Sequence, residues 1–297
     1  MARLAPLDFQ AFVRERSQKT LAVAAGDPHA YAYASDRATR AAFEKVRPVE
    51  LVVSASVRMF KNAGKAQLLG QAVKIGPRQF PRVHALVRRC AETLGIAPPT
   101  VYVTSNPHLN AATYGTNDDA FILLNSGLVD HYSDEELLTV IGHECGHIHN
   151  NHVVYLTTLH YLTSVAGILV RNLSAPAQLA LRAWSRRAEI TCDRAAALCA
   201  GEVEPALRAL TKLALGSHKL YDQLNLDAFL DQHDEAQESI GRFAEIFATH
   251  PFLPKRVLAL KIFCESELFR RHTGSGDSGL SMREVDDKVE ALVKVVG

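Results

Sequence analysis

The stretch Ser133 to His149, SDEELLTVIGHECGHIH, restricts what this chain can fold into more than any other. It carries His143, Glu144, Cys145, Gly146 and His147 in the order H-E-x-x-H. On a helix, residues four apart lie about 40° apart around the axis, so both imidazoles face one way, one turn apart. Two neutral imidazoles at that spacing make half of a tetrahedral zinc site. Glu144 stands beside that face, within reach of a water on the ion and badly placed to be a ligand itself. Independent signs make the stretch helical. Ser133 and Glu136 form an S-x-x-E capping box. Leu137, Leu138, Ile141, Cys145 and Ile148 recur at helical spacing, on the side away from the two histidines. The pattern fixes only three positions, so it also arises by chance in ordinary helices.

A catalytic zinc takes three protein ligands and keeps one position open. The segment SRRAEITCDRAAAL, Ser185 to Leu198, offers Glu189 and Asp193 four residues apart on one helix face. Zinc would partner a buried Glu189. Asp193, one turn on, would accept the free N–H of a ligand imidazole and set its tautomer. The competing reading is a solvated charged face, in which Arg186, Arg187, Glu189, Asp193 and Arg194 are surface ion pairs.

The rest of the chain frames this pair of segments. Its 297 residues are 47% hydrophobic and 22% charged, with a formal net charge of +1. That is the composition of a globular protein with one large core or two smaller ones, and it gives no support for a nucleic-acid partner. Five cysteines without a C-x-x-C pair fit reduced thiols in a cytoplasmic protein. The N-terminus carries no apolar signal-like region. Residues 1–75 read as a helical, mixed extension packed on the core, with no chemistry of their own. Pro81 to Leu94 keeps helical spacing and ends on Gly95. Short β signals follow at Val101–Thr104, Ala111–Tyr114 and Phe121–Leu124, the last two joined by the turn Gly115–Asp119. They predict a small antiparallel sheet ahead of the H-E-x-x-H helix, hence an α+β, predominantly helical fold. Its edge would suit an extended peptide.

Asn151 to Val170 carries no Asp, Glu, Lys or Arg. Its length raises a membrane span. A single crossing there would part Glu189 from the two histidines, and the returning segment holds Arg171, Arg182, Arg186 and Arg187. It is therefore read as a buried helix, with association at a membrane surface the less favoured reading. With a turn near Ser174, the two ligand segments are mismatched by roughly 18 Å at about 1.5 Å per residue, so the outgoing helix must bend or stop, near Thr157-Thr158 or Gly167. Beyond them, Glu204–Leu215 reads as an amphipathic helix and Asp222–Glu238 as an acidic lid or surface. His272–Leu280 reads as a flexible linker to a last helix, Arg283–Val296.

Four elements, in order, carry a resemblance to a known family. They are Asn110-Ala111-Ala112, then His143-Glu144-Cys145-Gly146-His147, then Glu189-Ile190-Thr191-Cys192-Asp193-Arg194-Ala195, then Thr249-His250-Pro251-Phe252-Leu253-Pro254-Lys255-Arg256-Val257. Over roughly Gln71 to Phe263 the chain resembles peptidase family M48, gluzincins of the HtpX-like and CAAX-prenyl-protease-like kind. The resemblance implies a zincin-like metallopeptidase domain, here 76–272, between the extension 1–75 and a linker with a C-terminal helix, 273–297. It implies one zinc per chain held by His143, His147 and Glu189, with Glu144 as general base and Asp193 behind the ligands. His250 and Arg256 would stabilise the developing oxyanion, and Asn110 and Ala112 would bind substrate. The membrane members carry a pair of transmembrane helices between the H-E-x-x-H and the glutamate; this chain has at most one apolar segment there, which favours a soluble member. His149 and His152 point about 200° and 140° away from His147 along a continuous helix, and so read as surface or packing residues. Cys145 and Cys192 read as buried small residues.

The expected activity is hydrolysis of peptide bonds by a zinc-bound water that Glu144 activates, in misfolded or regulatory protein substrates. The alternative is a silent or latent zinc-binding protein that acts through a partner, its cleft covered by the N-terminal or 222–238 segment. Oligomeric state has no sequence signal.

Overall fold

The computed structural model describes residues 27–43, 66, 70–163, 171–215, 218–221, 223–237 and 253–293. His250 and the KNAGK segment, 61–65, lie outside them. Helix α1 (Ala34–Phe43) comes first, then a short strand β1 (Ala72–Lys74) in a region read as helical and mixed. Helix α2 (Pro81–Leu94) opens on a proline, whose missing N–H costs nothing in a first turn, and closes on Gly95 in the left-handed conformation, φ 66°.

Strands β2 (Thr100–Thr104), β3 (Ala111–Gly115) and β4 (Ala120–Asn125) form where the β-formers mark them. The sheet order is β1-β2-β4-β3. The pairing differs from the antiparallel sheet expected. Pairs β1–β2 and β3–β4 are antiparallel, but β2 and β4 run parallel, with Thr100 opposite Phe121. The cause is the placing of the β3–β4 hairpin. Buried Phe121, Ile122 and Leu124 take β4 to the middle of the sheet and leave β3 at its edge.

Helix α3 (Ser126–His131) leads into α4 (Asp134–His149). The capping box forms: Glu136 N donates to Ser133 Oγ at 3.3 Å, and Ser133 N donates to Glu136 Oε2 at 2.8 Å. Leu137, Leu138, Ile141 and Cys145 are buried. The chain breaks sooner than the length mismatch placed it. Asn151 adopts φ 56° just past α4, and a new helix, α5 (Val153–Thr163), starts two residues later. Helix α6 (Arg171–Ala200) then runs back along α4, already helical ahead of Pro176. The close approach rests on two glycines: Gly142 faces Ala196 and Cys199, and Gly146 faces Cys192 and Ala195.

Helices α7 (Val203–Leu215), α8 (His218–Tyr221), α9 (Leu226–Gln237), α10 (Leu253–Cys264), α11 (Glu267–Thr273) and α12 (Met282–Val293) complete the described chain. The main core lies between the sheet, α2, α4, α6 and α10, and α12 adds Val285 and Val289 to it. The 272–280 stretch is not a free linker. Leu280 N donates to Glu265 O and Glu267 N to Leu280 O, both at 3.0 Å. A smaller core of Phe43, Tyr155, Leu159, Leu181 and Trp184 joins α1, α5 and α6. Among the described residues no helix is long and apolar enough to cross a membrane.

Candidate metal centre

Antiparallel packing of α4 on α6 brings His143 and His147 against Glu189. His143 Nε2 lies 3.5 Å from Glu189 Oε2, and His147 Nε2 lies 3.6 Å from Glu189 Oε1. Around a tetrahedral zinc with N and O ligands at about 2.0–2.1 Å, neighbouring donors stand about 3.4 Å apart, so this set fits the ion. Glu189 is 2% exposed, which removes the solvated-face reading of its helix. The ligand atoms of a second trio, His143, His147 and Cys192, also lie within 4.8 Å of one another. Cys192 Sγ meets His147 at Nδ1, 3.1 Å away, on the side turned from Glu189. Burial and then the charge of Glu189 push its thiol pKa well up.

The groups behind the three donors are ordered as well. His143 Nδ1 lies 3.1 Å from Asp193 Oδ1. Arg256 closes the other side of that carboxylate: Nε donates to Oδ2 at 2.9 Å and Nη2 to Oδ1 at 2.6 Å. Its Nη1 lies 3.1 Å from Glu189 Oε2. Burial opposes the charge on Asp193, but Arg256 and then His143 hold its carboxyl below the usual range. Burial likewise works against protonation of His143, yet Glu189 and Asp193 raise its pKa. At His147 burial prevails and the pKa falls. Arg256, expected to stabilise an oxyanion, lines a cleft and has its donors on two buried carboxylates.

Glu144, 7% exposed, points its Oε2 at Thr113, whose hydroxyl donates to it at 2.6 Å. Thr113 sits on β3, the edge strand, and was not singled out in the sequence; a threonine in a β-run carries no mark of such a role. Asn110 and Ala111 line the same cleft as Arg256, together with His143 and Glu144, and Val140 and Leu210 line it as well. Ala112, expected to bind substrate, pairs with Leu123 on β4 and does not line it. No described residue of 27–43 or of α9 lines the cleft. The described N-terminal residues lie behind the site. Leu226, Phe229 and Leu230 of α9 pack on the core.

His149 and His152 are both buried, at 7% and 0% exposed, not surface residues. The angles that turned His152 away assumed one continuous helix. The break at Asn151 swings it back, and His152 Nδ1 lies 3.2 Å from His147 Nδ1. Its other nitrogen lies 3.1 Å from Asp36 Oδ2, a polar contact rather than a straight hydrogen bond. Asp36 belongs to the segment read as having no chemistry. No spacing rule links it to a motif more than a hundred residues away.

Residues 77–262 match the family model described as Peptidase family M48. The chain is 35% identical over 182 residues to the plastoglobule-localized metallopeptidase 48 of Arabidopsis thaliana chloroplasts, a match covering 58% of this chain and 52% of the plant protein. It is 27% identical over 222 residues to a protein named Protease HtpX homolog from Moorella thermoacetica, covering 64% of this chain and 74% of the other. A third relative, Protease HtpX homolog 1 of Streptomyces coelicolor, is 28% identical over 214 residues, covering 60% and 69%.

Proposed function

The chain belongs to peptidase family M48, and on that premise we propose that it is a zinc-dependent endopeptidase with His143, His147 and Glu189 as ligands and Glu144 as general base. The observation that carries this is the convergence of two Nε2 atoms on the two oxygens of one buried carboxylate, at 3.5 and 3.6 Å, with Glu144 alongside. Bound there, zinc would polarise a substrate carbonyl and acidify a water toward neutrality. Glu144 Oε2 takes the proton of the attacking water and returns it to the leaving amine. Thr113 holds that carboxylate in place. Asp193 takes the Nδ1–H of His143, which leaves Nε2 free as a donor to the metal. Arg256 neutralises Asp193 and steadies Glu189. His250, outside the described residues, is proposed as a donor to the oxyanion.

Asn110 and the outer edge of β3 would take the substrate backbone. An edge strand pairs only with extended chain, so locally unfolded proteins are the substrates it suits. Among the described residues all five cysteines are free and buried, which supports a reducing, cytoplasmic setting. The silent zinc-binding reading has less support, because a purely structural site fills its positions with ligands and has no use for Glu144. Glu144→Gln tests the choice. One zinc per chain should persist by metal analysis, while cleavage of casein falls by about 10²-fold or more. Equal cleavage by the variant and the parent overturns the enzyme assignment.

A further inference from the structure

His147 has two ring nitrogens with different surroundings. Nε2 faces Glu189. Nδ1 faces away, into a buried group made by His152, Cys192 and, one step further, Asp36. We propose that His152 and Asp36 form a relay that fixes the tautomer and orientation of His147, which makes helix α1 a working part of the metal site. The inference rests on reading His143, His147 and Glu189 as zinc ligands.

Proton bookkeeping leads to one arrangement. If Nε2 of His147 gives its lone pair to the metal, the neutral ring carries its proton on Nδ1, and that proton needs an acceptor. Cysteine sulfur is a weak acceptor, so Cys192 is the poorer of the two neighbours. His152 Nδ1, at 3.2 Å, accepts only if the His152 proton sits on Nε2. That nitrogen is the one beside Asp36 Oδ2, at 3.1 Å. Asp36 is 1% exposed and is kept as a carboxylate by two further donors, Thr191 Oγ1 at 2.6 Å and Trp184 Nε1 at 2.8 Å. Each residue in the line is thus left a single role: carboxylate, imidazole, imidazole, metal. The other ligand, His143, has its carboxylate directly, in Asp193. A carboxylate behind a ligand imidazole raises its basicity and locks its ring; here one imidazole is reached through another.

The parts come from three places in the chain. His147 ends α4, His152 precedes α5 after the turn at Asn151, and Asp36 sits on α1. Asp36 lies outside residues 77–262, the span that matches the family model.

The test is zinc affinity, measured by chelator competition on the full chain, together with the visible spectrum of the cobalt-loaded protein. Asp36→Asn and His152→Phe should each weaken zinc about 10–100-fold and shift the cobalt bands. Leu181→Ala is the structural control. It loosens the small core that α1 shares with α5 and α6, but removes no polar group from the line between Asp36 and His147. It should lower the melting temperature of the metal-free protein and change zinc affinity less than threefold. If Asp36→Asn keeps zinc affinity within threefold and only melts earlier, as the control does, the relay is wrong and the cluster is a structural tie. Should Asp36→Asn fail to fold, His152→Phe decides by the same comparison. A parent protein that takes up no zinc removes the metal site itself and the relay with it. A parent that binds zinc while the relay variants are unaffected removes the relay alone.

Discussion

Thr113 illustrates what a single hydroxyl decides. Its donation to Glu144 is the only contact described that fixes the carboxylate proposed as general base. A hydrogen bond to a charged group is worth about 1.5–3 kcal/mol, or roughly 10–100-fold. Thr113→Val keeps the shape and removes the donor, so kcat should fall by about that factor with KM near its parent value, and Thr113→Ser should recover most of the loss. Steady-state kinetics on a fluorogenic peptide check it; an unchanged kcat would show that Glu144 needs no such support. Most of the residues at this scale were legible in advance. His143, Glu144, His147, Glu189 and Asp193 stand where their spacing put them, because ligand spacing is a local, helical quantity. The partners of Arg256 were not legible: a guanidinium goes to the strongest anions within reach, and only the folded chain shows that Asp193 and Glu189 are those.

At the scale of elements, the site depends on how close α4 and α6 come. A methyl group on Gly146 would meet Ala195 Cβ at 2.8 Å and Cys192 Cα at 3.2 Å. The nearer neighbour is a short side chain fixed to a helix, and the other is backbone, so neither can move without moving α6. Gly146→Ala should therefore cost about 1–3 kcal/mol, seen in chemical denaturation. It should also weaken zinc binding, because it parts His147 from Glu189. Stability and zinc affinity both equal to those of the parent would mean that the helices have slack. Helices α2 and α4 were readable from caps and apolar spacing, above all the capping box of α4 and Gly95 at the end of α2. The strand pairing was not. Local β-propensity shows that β2, β3 and β4 are extended but says nothing about which lies beside which, and β1 is too short to leave a pattern.

Over the whole molecule, the two ends of the described chain meet behind the metal centre. Arg194 of α6, 1% exposed, donates to Tyr31 O at 3.2 Å and to Asp286 Oδ1 of α12 at 2.7 Å. Tyr33 reaches Glu290 of the same helix. Next to this junction His149 is enclosed by Tyr31, whose OH lies 2.8 Å from Nδ1, and by His29, stacked at 4.3 Å. Burial, then the nearby His29, push its pKa down to about 3 from 6.5. The sign follows from linkage. Between those values the unfolded chain binds the proton and the folded one does not, so stability is full above about pH 6.5 and is lost as pH falls toward 3. Melting temperature followed from pH 7 to pH 4 should drop, and His149→Gln should flatten the drop. Parallel curves for both proteins would mean that His149 is not the group that titrates.

The sequence by itself determined the H-E-x-x-H helix, the face that holds its two histidines, and the carboxylate pair one turn apart on a second helix. These follow from the helical period of about 3.6 and from caps, which act within a few residues. Only the tertiary structure decided that the sheet is mixed, that Arg256 clamps two carboxylates, that the chain turns at Asn151, and that His152 and Asp36 stand behind His147. A repeating apolar pattern says which face of an element is buried. It does not say which distant residue covers that face, because the partner is chosen by packing and by the need of each buried charge for a counterpart.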